Sequence, residues 1–340
     1  MMRRNVSKAI LEIKNLNMVF SKRRTPFKKE KFFHVLKNIN LDIYEGEILA
    51  VVGESGCGKT TLGKIITGLL KPTSGEINYY GKNISSIFTN QEIQDYHRYV
   101  QFVQQDSYAA LNPVRTIYQS LEAPIRTHYK YTTEQINQKV DELMSLVGLT
   151  PADQFLGKFP HQLSGGQRQR ILMARALSLD PKLIVADEPV SMIDVSLRLQ
   201  ILELMSRLNK ELGVVFIYIT HDLSTARYIA RDNRMMVMYL GEIMEIGKAT
   251  EIINNPRHPY TQALLSAVPI PDPNYPIDSE NIKIKGMEMG DLSNRPIGCS
   301  FFERCPYAQD CCKEEIQHIE HDNVSIKCIR ETYIPKHGEG

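Results

Sequence analysis

Residues Gly53-Glu54-Ser55-Gly56-Cys57-Gly58-Lys59-Thr60 fit the pattern G-x-x-x-x-G-K-[ST] at every fixed position. Their flanks restrict what the chain can fold into. Before them, Ile48-Leu49-Ala50-Val51-Val52 is an unbroken apolar run, as in a strand covered on both faces. After them the pattern predicts a helix from Lys59 to about Leu70, stopped by Lys71-Pro72-Thr73-Ser74-Gly75. A strand, a glycine-rich turn and a helix in that order make a phosphate cradle. The glycines let the backbone curl so that successive N–H groups converge on phosphate oxygens, and the helix N-terminus adds positive potential. Lys59 supplies a point charge to the outer phosphates, and the Thr60 hydroxyl suits Mg²⁺. Cys57 reads as a small filler, since nothing nearby would make it a nucleophile.

Two further apolar runs follow. Leu183-Ile184-Val185-Ala186 ends in Asp187-Glu188-Pro189, and Val214 to Ile219 ends in Thr220-His221-Asp222. A helix, Leu197 to Leu212, lies between them. Strand–helix–strand alternation implies a parallel sheet flanked by helices. Ile10 to Phe20 and Val35 to Ile43 alternate as half-buried strands do. Val237 to Ile246 reads as a hairpin turning near Gly241, and residues from about 90 to 180 read mainly as helix, with loops near Asn112-Pro113 and Pro160. Prolines from Pro256 to Pro276 read as a linker or a loosely packed region.

A carboxylate at the carboxyl end of a buried strand stands where open α/β sheets take ligands. Asp187 there suits Mg²⁺ or one of its waters, and Glu188 can polarise an attacking water as general base. A solvated acidic turn is the plainer reading, but the cradle upstream requires a metal-binding carboxylate. His221 at the tip of a core strand could be an ordinary polar end residue. A neutral imidazole there can also hydrogen-bond both phosphate and water.

Leu163-Ser164-Gly165-Gly166-Gln167 precedes a helix from Arg168 to Leu177, and Ser164 with Gln167 has capping-box spacing. Capping does not account for two adjacent glycines, which cost backbone entropy. They leave the helix start bare, so another molecule's phosphate could approach its N–H groups. One chain with two anion-binding helix starts suggests a nucleotide shared between two subunits.

The 340 residues suffice for one large α/β domain and a smaller one. Lys plus Arg number 41 against 39 Asp plus Glu, unlike the strongly basic domains that bind nucleic acid broadly. The run Lys22-Arg23-Arg24, with Lys28, Lys29 and Lys31, reads as a solvated loop; a membrane-surface or phosphate contact is the alternative. No stretch approaches the roughly 18 consecutive apolar residues of a membrane span, and MMRRNVSKAI lacks a signal-peptide core. A cytosolic chain is expected, unless something carries it to the membrane. Of six cysteines, Cys299, Cys305, Cys311, Cys312 and Cys328 crowd near the C-terminus. Clustered thiols in a cytosolic chain point to a metal rather than to disulfides. Four thiolates can hold Zn²⁺ or an iron–sulfur cluster. The spacing lacks close C-x-x-C pairs, so small buried apolar residues are the plain alternative.

Together these segments resemble the ATP-binding-cassette ATPase family over residues from about 10 to 250. Gly53 to Thr60, continuing to Thr61, match Walker A, and Asp187 with Glu188 matches Walker B and its catalytic glutamate. Leu163 to Gln167 is the family signature unchanged. Gln105 matches the Q-loop glutamine and His221 the switch histidine. Ser191-Met192-Ile193-Asp194 matches the D-loop, with Ile193 where leucine is usual.

The resemblance implies an α/β, P-loop NTPase cassette with a mainly parallel core sheet, an antiparallel β subdomain and a helical subdomain at about 90–180. It fills residues 1–250, and 251–340 form a small C-terminal Cys-containing extension. ATP would be hydrolysed to ADP and phosphate with Mg²⁺ on Thr60, Gln105 and Asp187, and Glu188, His221 and Gln105 would be catalytic. Nucleotide contacts would come from Phe20, Gly53, Glu54, Ser55, Gly56, Cys57, Gly58, Lys59, Thr60 and Thr61. Phe20 aligns with the aromatic that stacks on adenine, with Phe32 or Phe33 as replacements. Ser164, Gly165, Gly166, Gln167 and Asp194 would complete the site across a head-to-tail pair of cassettes. The expected partners are a second ATPase subunit, a different chain, two membrane permeases and an extracytoplasmic substrate-binding protein. The place is the cytoplasmic side of the cell membrane, as a peripheral subunit.

Three stretches resemble the oligopeptide/dipeptide importer branch: Gln105 to Pro113 with Ser107 where proline is common, Asn255 to Thr261, and Gly298 to Phe301 with Arg304 to Ala308. Membership implies peptide import; nickel importers share the branch and are the alternative. Cassette ATPases acting on nucleic acid are the alternative from another class, but no second cassette, coiled-coil insertion or basic face is evident. Cys299, Cys305, Cys312 and Cys328 match four recurring cysteines of the branch. Some members carry a [4Fe–4S] cluster there, so a cluster is expected here, with Zn²⁺ as alternative.

Overall fold

The computed structural model describes residues 9–22, 31–84, 89–267, 284–286, 290 and 295–329. Long strands β1 (Ala9–Lys22) and β2 (Lys31–Tyr44) lead into the short β3 (Ile48–Val52), helix α1 (Lys59–Ile66), β4 (Ser74–Tyr79) and β5 (Lys82–Asn83). Helix α2 (Asn90–Tyr99) precedes β6 (Val100–Val103). A helical layer follows: α3 (Ser107–Ala110), α4 (Ile117–His128), α5 (Thr133–Leu146), α6 (Asp153–Leu156) and α7 (Gly165–Leu177). The chain then alternates β7 (Leu183–Asp187), α8 (Val195–Leu212), β8 (Val215–Thr220), α9 (Leu223–Ile229) and β9 (Arg234–Tyr239). It finishes with β10 (Glu242–Lys248), α10 (Ala249–Asn254), α11 (Pro259–Ser266), β11 (Ile319–His321) and β12 (Val324–Ile326).

Among the described residues these strands make two sheets. An antiparallel one has the order β2-β1-β4-β5, and a larger one the order β11-β12-β10-β9-β3-β8-β7-β6. From β9 to β6 the larger sheet is parallel. The α/β architecture expected from sequence is therefore present, with both its sheets and its helical layer.

The apolar runs explain the parallel core. Every residue of β3, β7 and β8 is buried. Alternation along a strand sends neighbours to opposite faces. Ala50 and Val52 pack with residues of the helical layer, whereas Leu49 and Val51 pack with α1 and the antiparallel sheet. One strand thus joins two cores, each buried leucine or valine contributing roughly 2 kcal/mol.

Local chemistry sets the boundaries. Helices α2, α4, α5 and α7 each begin with a capping box, from Thr89, Thr116, Thr132 and Ser164. Helix α1 stops at Ile66, short of Leu70, because the Thr67 hydroxyl folds back on the Gly63 carbonyl at 3.0 Å and Gly68 adopts φ 73°. The stretch from 90 to 180 is not all helix. Val100–Val103 joins β7 in the parallel sheet, a run too short to separate from the helix before it. The region after Pro256 is also tighter than expected. Pro259 occupies the first turn of α11, where its missing N–H costs nothing, and His258 and Tyr260 are buried. Residues 268–276 of that proline-rich stretch, and Arg23, Arg24, Lys28 and Lys29 of the basic run, lie outside the described residues. Among the described residues no helix is long and apolar enough to cross a membrane.

Candidate active site

Four neighbouring strands, β3-β8-β7-β6, end at one edge of the parallel sheet. At or just beyond their carboxyl ends stand, in that order, Gly53, His221, Asp187 with Glu188, and Gln105. Residues far apart in sequence are collected because parallel strands all end on the same side.

The turn after β3 is shaped by glycine. Gly53 has φ 150° and its missing Cβ would lie 2.1 Å from the Met238 carbonyl oxygen. Gly58 has φ 105°, and a Cβ there would lie 2.8 Å from the Val35 carbonyl oxygen. No side chain fits either place. Gly241, in the hairpin between β9 and β10, donates its N–H to the Cys57 carbonyl at 2.7 Å and pins the turn from behind. Cys57, Gly58 and Lys59 are buried, while Ser55, Gly56 and Thr60 face solvent. The Lys59 ammonium donates to the carbonyls of Gly53, at 2.6 Å, and Glu54, at 2.9 Å. Burial pushes the Cys57 thiol up, against the pull of Lys59, so it stays a neutral filler.

Beside this turn, the Glu188 carboxylate is held from two sides. It accepts from Gln105 Nε2 at 2.9 Å and meets His221 Nδ1 at 2.8 Å. Its own backbone has φ 45°, unusual for a glutamate, and its N–H donates to the Ile219 carbonyl at 2.8 Å. That bond ties the end of β7 to β8. Asp187, next to it, is buried, and its Oδ1 has no hydrogen-bond partner. Burial raises its pKa, opposed by the Thr60 hydroxyl and, more weakly, by Lys59. A buried acceptor left unpaired beside a threonine hydroxyl is a fit for a hard cation.

The other predicted residues have local partners of their own. Ser164 caps α7, accepting from the Gln167 N–H at 3.3 Å while Gln167 Oε1 accepts from the Ser164 N–H at 2.9 Å. Its glycines have an intramolecular reason as well. A Cβ on Gly165 would come within 3.2 Å of the Met192 carbonyl oxygen, and one on Gly166 within 3.4 Å of the Leu197 side chain. Asp194 precedes α8 without a side-chain cap bond, and Met192 and Val195 are exposed. Phe20 pairs with Phe33 across β1 and β2, so the two share a face, and Phe32, opposite Ser21, falls on the other face.

Comparison with known proteins decides the family. Residues 36–191 match the ABC transporter family, and residues 244–312 match the oligopeptide/dipeptide transporter C-terminal region. The oligopeptide transport ATP-binding protein AppF of Bacillus subtilis is 43% identical over 312 residues, 92% of this chain and 93% of that protein. The dipeptide transport ATP-binding protein DppF of Haemophilus influenzae is 43% identical over 322 residues, 92% of this chain and 96% of that protein. The chain belongs to the ABC transporter family. Its fold agrees with solved ABC cassettes. The dimeric post-hydrolysis state of the ATP-binding cassette MJ0796, bound to ADP and Pi, superposes with TM-score 0.62 and 30% identity, covering 70% of this chain and 98% of that one. The cassette cbiO1 from Clostridium perfringens gives TM-score 0.62 at 29% identity, covering 73% of this chain and 91% of that one. The protein is thus an ABC ATPase, hydrolysing ATP.

The C-terminal part of this ABC ATPase is built into the cassette. Strand β12 pairs with β10 and extends the large sheet. Cys299, Cys305, Cys312 and Cys328 line one cavity of about 20 Å³, walled also by Phe302, Tyr307 and Ile316. Burial, with the three neighbouring thiols, pushes Cys299 up to about 12. Among the described residues, however, no group of three or more His, Cys, Asp or Glu is arranged to hold a metal ion. The cavity has room for about one water-sized occupant, and nothing in its walls supports a four-iron cluster. Cys311, the extra cysteine, is exposed.

Two residues of the branch-specific stretches also reach the glycine-rich turn. Tyr260 and Arg304 both bond to Glu54. Only the branch-specific stretches around them could have drawn attention to either, because contacts across such sequence distances have no periodic signature.

Proposed function

We propose that this ABC ATPase drives uptake of di- or oligopeptides, working at the cytoplasmic face of the cell membrane. It would pair head to tail with a second, different cassette and dock on two permeases served by an extracytoplasmic binding protein. Residues up to about 250 form the nucleotide-binding unit in this reading, with about 90–180 as its helical part. The remainder is the extension typical of the branch. The observation carrying the ATPase chemistry is the single carboxylate of Glu188, held by Gln105 and His221 beside the Gly53–Thr60 cradle. The match of residues 244–312 to the peptide-transporter C-terminal region supports peptide over nickel cargo.

In this reading the cradle amides and Lys59 bind the β- and γ-phosphates. The ammonium exchanges its carbonyl partners at Gly53 and Glu54 for phosphate oxygens. Mg²⁺, when bound, neutralises phosphate charge; Thr60, Asp187 and the free carbonyl of Gln105 would hold it. Glu188 takes the proton from the attacking water, and His221 and Gln105 keep its carboxylate in place. Phe20 or Phe33 stacks on adenine. The capped start of α7, Ser164 to Gln167, with Asp194 nearby, faces the nucleotide on the partner cassette, so closing the pair completes both sites. The exposed Tyr108 and Val114, just after Gln105, are the surface offered to the permeases.

For the cysteines, a metal is proposed on the donor set alone. Iron and zinc analysis of anaerobically purified protein tests it, and a colourless, metal-free chain retires it. The transport reading is tested in cells lacking this gene. Uptake of labelled di- and tripeptides should return with the unaltered chain and not with Glu188→Gln. Restored nickel uptake with no peptide uptake would reverse the choice of cargo.

A further inference from the structure

The C-terminal extension grips the phosphate cradle itself. The Glu54 N–H donates to the Tyr260 phenol oxygen at 2.9 Å. The Glu54 carboxylate accepts from Arg304 Nη1 at 3.0 and 2.9 Å, one contact to each oxygen. Tyr260 is 1% exposed and Arg304 7%. Both are locked in place. The rings of Tyr239, Tyr260 and Phe301 contact one another with centroids 4.6 to 5.3 Å apart. Arg304 Nε donates to the Gly286 carbonyl at 3.0 Å.

The peptide unit between Gly53 and Glu54 is planar and trans, so its C=O and N–H point in opposite directions. The N–H goes to Tyr260. The C=O receives the Lys59 ammonium at 2.6 Å. Holding one end of this plane fixes the other, and with it the place from which Lys59 reaches into the cradle. Arg304 adds a charge-assisted bond that keeps the Glu54 side chain turned away from the phosphates, where a carboxylate would repel them.

We propose that Tyr260 and Arg304 are positioning residues for nucleotide binding. The extension acts as a strut that sets the peptide plane at 53–54 and so tunes the affinity of its own cassette for MgATP. The proposal rests on the reading of Gly53–Thr60 as the triphosphate cradle.

Calorimetric titration of the purified full chain with MgATP tests it, because affinity and stoichiometry are read separately. Tyr260→Phe keeps the ring and removes the acceptor; it should weaken binding by roughly fivefold with stoichiometry unchanged. Arg304→Gln should weaken it by roughly tenfold, and Arg304→Lys should recover part of the loss. Lys59→Ala is the control for the cradle. If Lys59→Ala loses affinity while Tyr260→Phe and Arg304→Gln bind as tightly as the unaltered chain, the strut is refuted and the cradle stands. If stoichiometry falls while affinity holds, both residues serve folding only and the proposal fails. If Lys59→Ala itself binds normally, the cradle is misplaced and the strut falls with it.

Discussion

The Gln105 side-chain amide donates to the Glu188 carboxylate at 2.9 Å, although 83 residues separate them in sequence. They lie beyond the ends of adjacent parallel strands, β6 and β7. The bond leaves the Gln105 carbonyl free and joins the surface that follows Gln105 to the residue best placed to activate water. Glu188→Gln keeps the shape and both neighbours but cannot take a proton. It should bind MgATP as the unaltered chain does and hydrolyse it roughly 10² to 10⁴-fold more slowly. Single-turnover measurement with radiolabelled ATP checks this; undiminished hydrolysis would place the base elsewhere.

His221 touches Glu188 at 2.8 Å and is half-exposed. Its removal disturbs the carboxylate and leaves Lys59 and the glycine turn intact. His221→Ala should therefore lower kcat by roughly a hundredfold while the MgATP dissociation constant stays within about twofold. A large loss of affinity instead would show that the imidazole contributes mainly to holding the nucleotide.

Gly53 combines φ 150° with a carbonyl oxygen 2.1 Å from where a Cβ would stand. Gly53→Ala should destabilise the chain by at least about 2 kcal/mol and abolish nucleotide binding. Urea unfolding of the two chains side by side measures the first effect. Equal midpoints would mean that the turn yields easily.

Glu242 predicts a pH dependence. Burial opposes its charge, but Lys327, with Ser300 and Lys37, prevails and holds the carboxyl below its ordinary 4.5. The folded chain therefore binds this proton less readily than the unfolded chain. The contribution to stability is present in full above 4.5 and is lost as pH falls through the lowered folded value. Glu242→Gln leaves Lys327 without its buried counter-charge and should cost about 3 kcal/mol near neutrality. Its melting temperature should also fall less steeply than that of the unaltered chain on acidification from pH about 5 to 3. Parallel curves would assign the stability to other groups.

Much of the architecture was legible because its signals are local. Buried strands such as Ile48–Val52 are apolar throughout, the glycine turn has a fixed spacing, and Ser164 with Gln167 announces its own cap. Strand β6 was not legible, since four residues cannot establish a period against the helix beside them. The packing after Pro256 was not either, because proline breaks a helix in one place and begins it in another. At the site, residue types at strand ends pointed to Asp187, Glu188 and His221, whereas Gln105 was reached only through the family resemblance. The direct bonding of Glu188 to His221 and Gln105 depends on strand order, which no stretch of sequence displays. Tyr260 and Arg304 fell within stretches singled out by resemblance, but their contact with Glu54, more than 200 residues away, was invisible for a related reason.

The two short strands β11 and β12 close one side of the large sheet by covering β10. Without them, the backbone amides and carbonyls of β10 that now pair with β12 would be bare, beside the apolar side chains of Ile243, Met244 and Ile246. Such a rim recruits any extended chain that meets it. The tail therefore also works as a hem: a chain cut near residue 250 would be apt to stick to its own copies, and its insolubility would say nothing about whether the cassette can hold ATP.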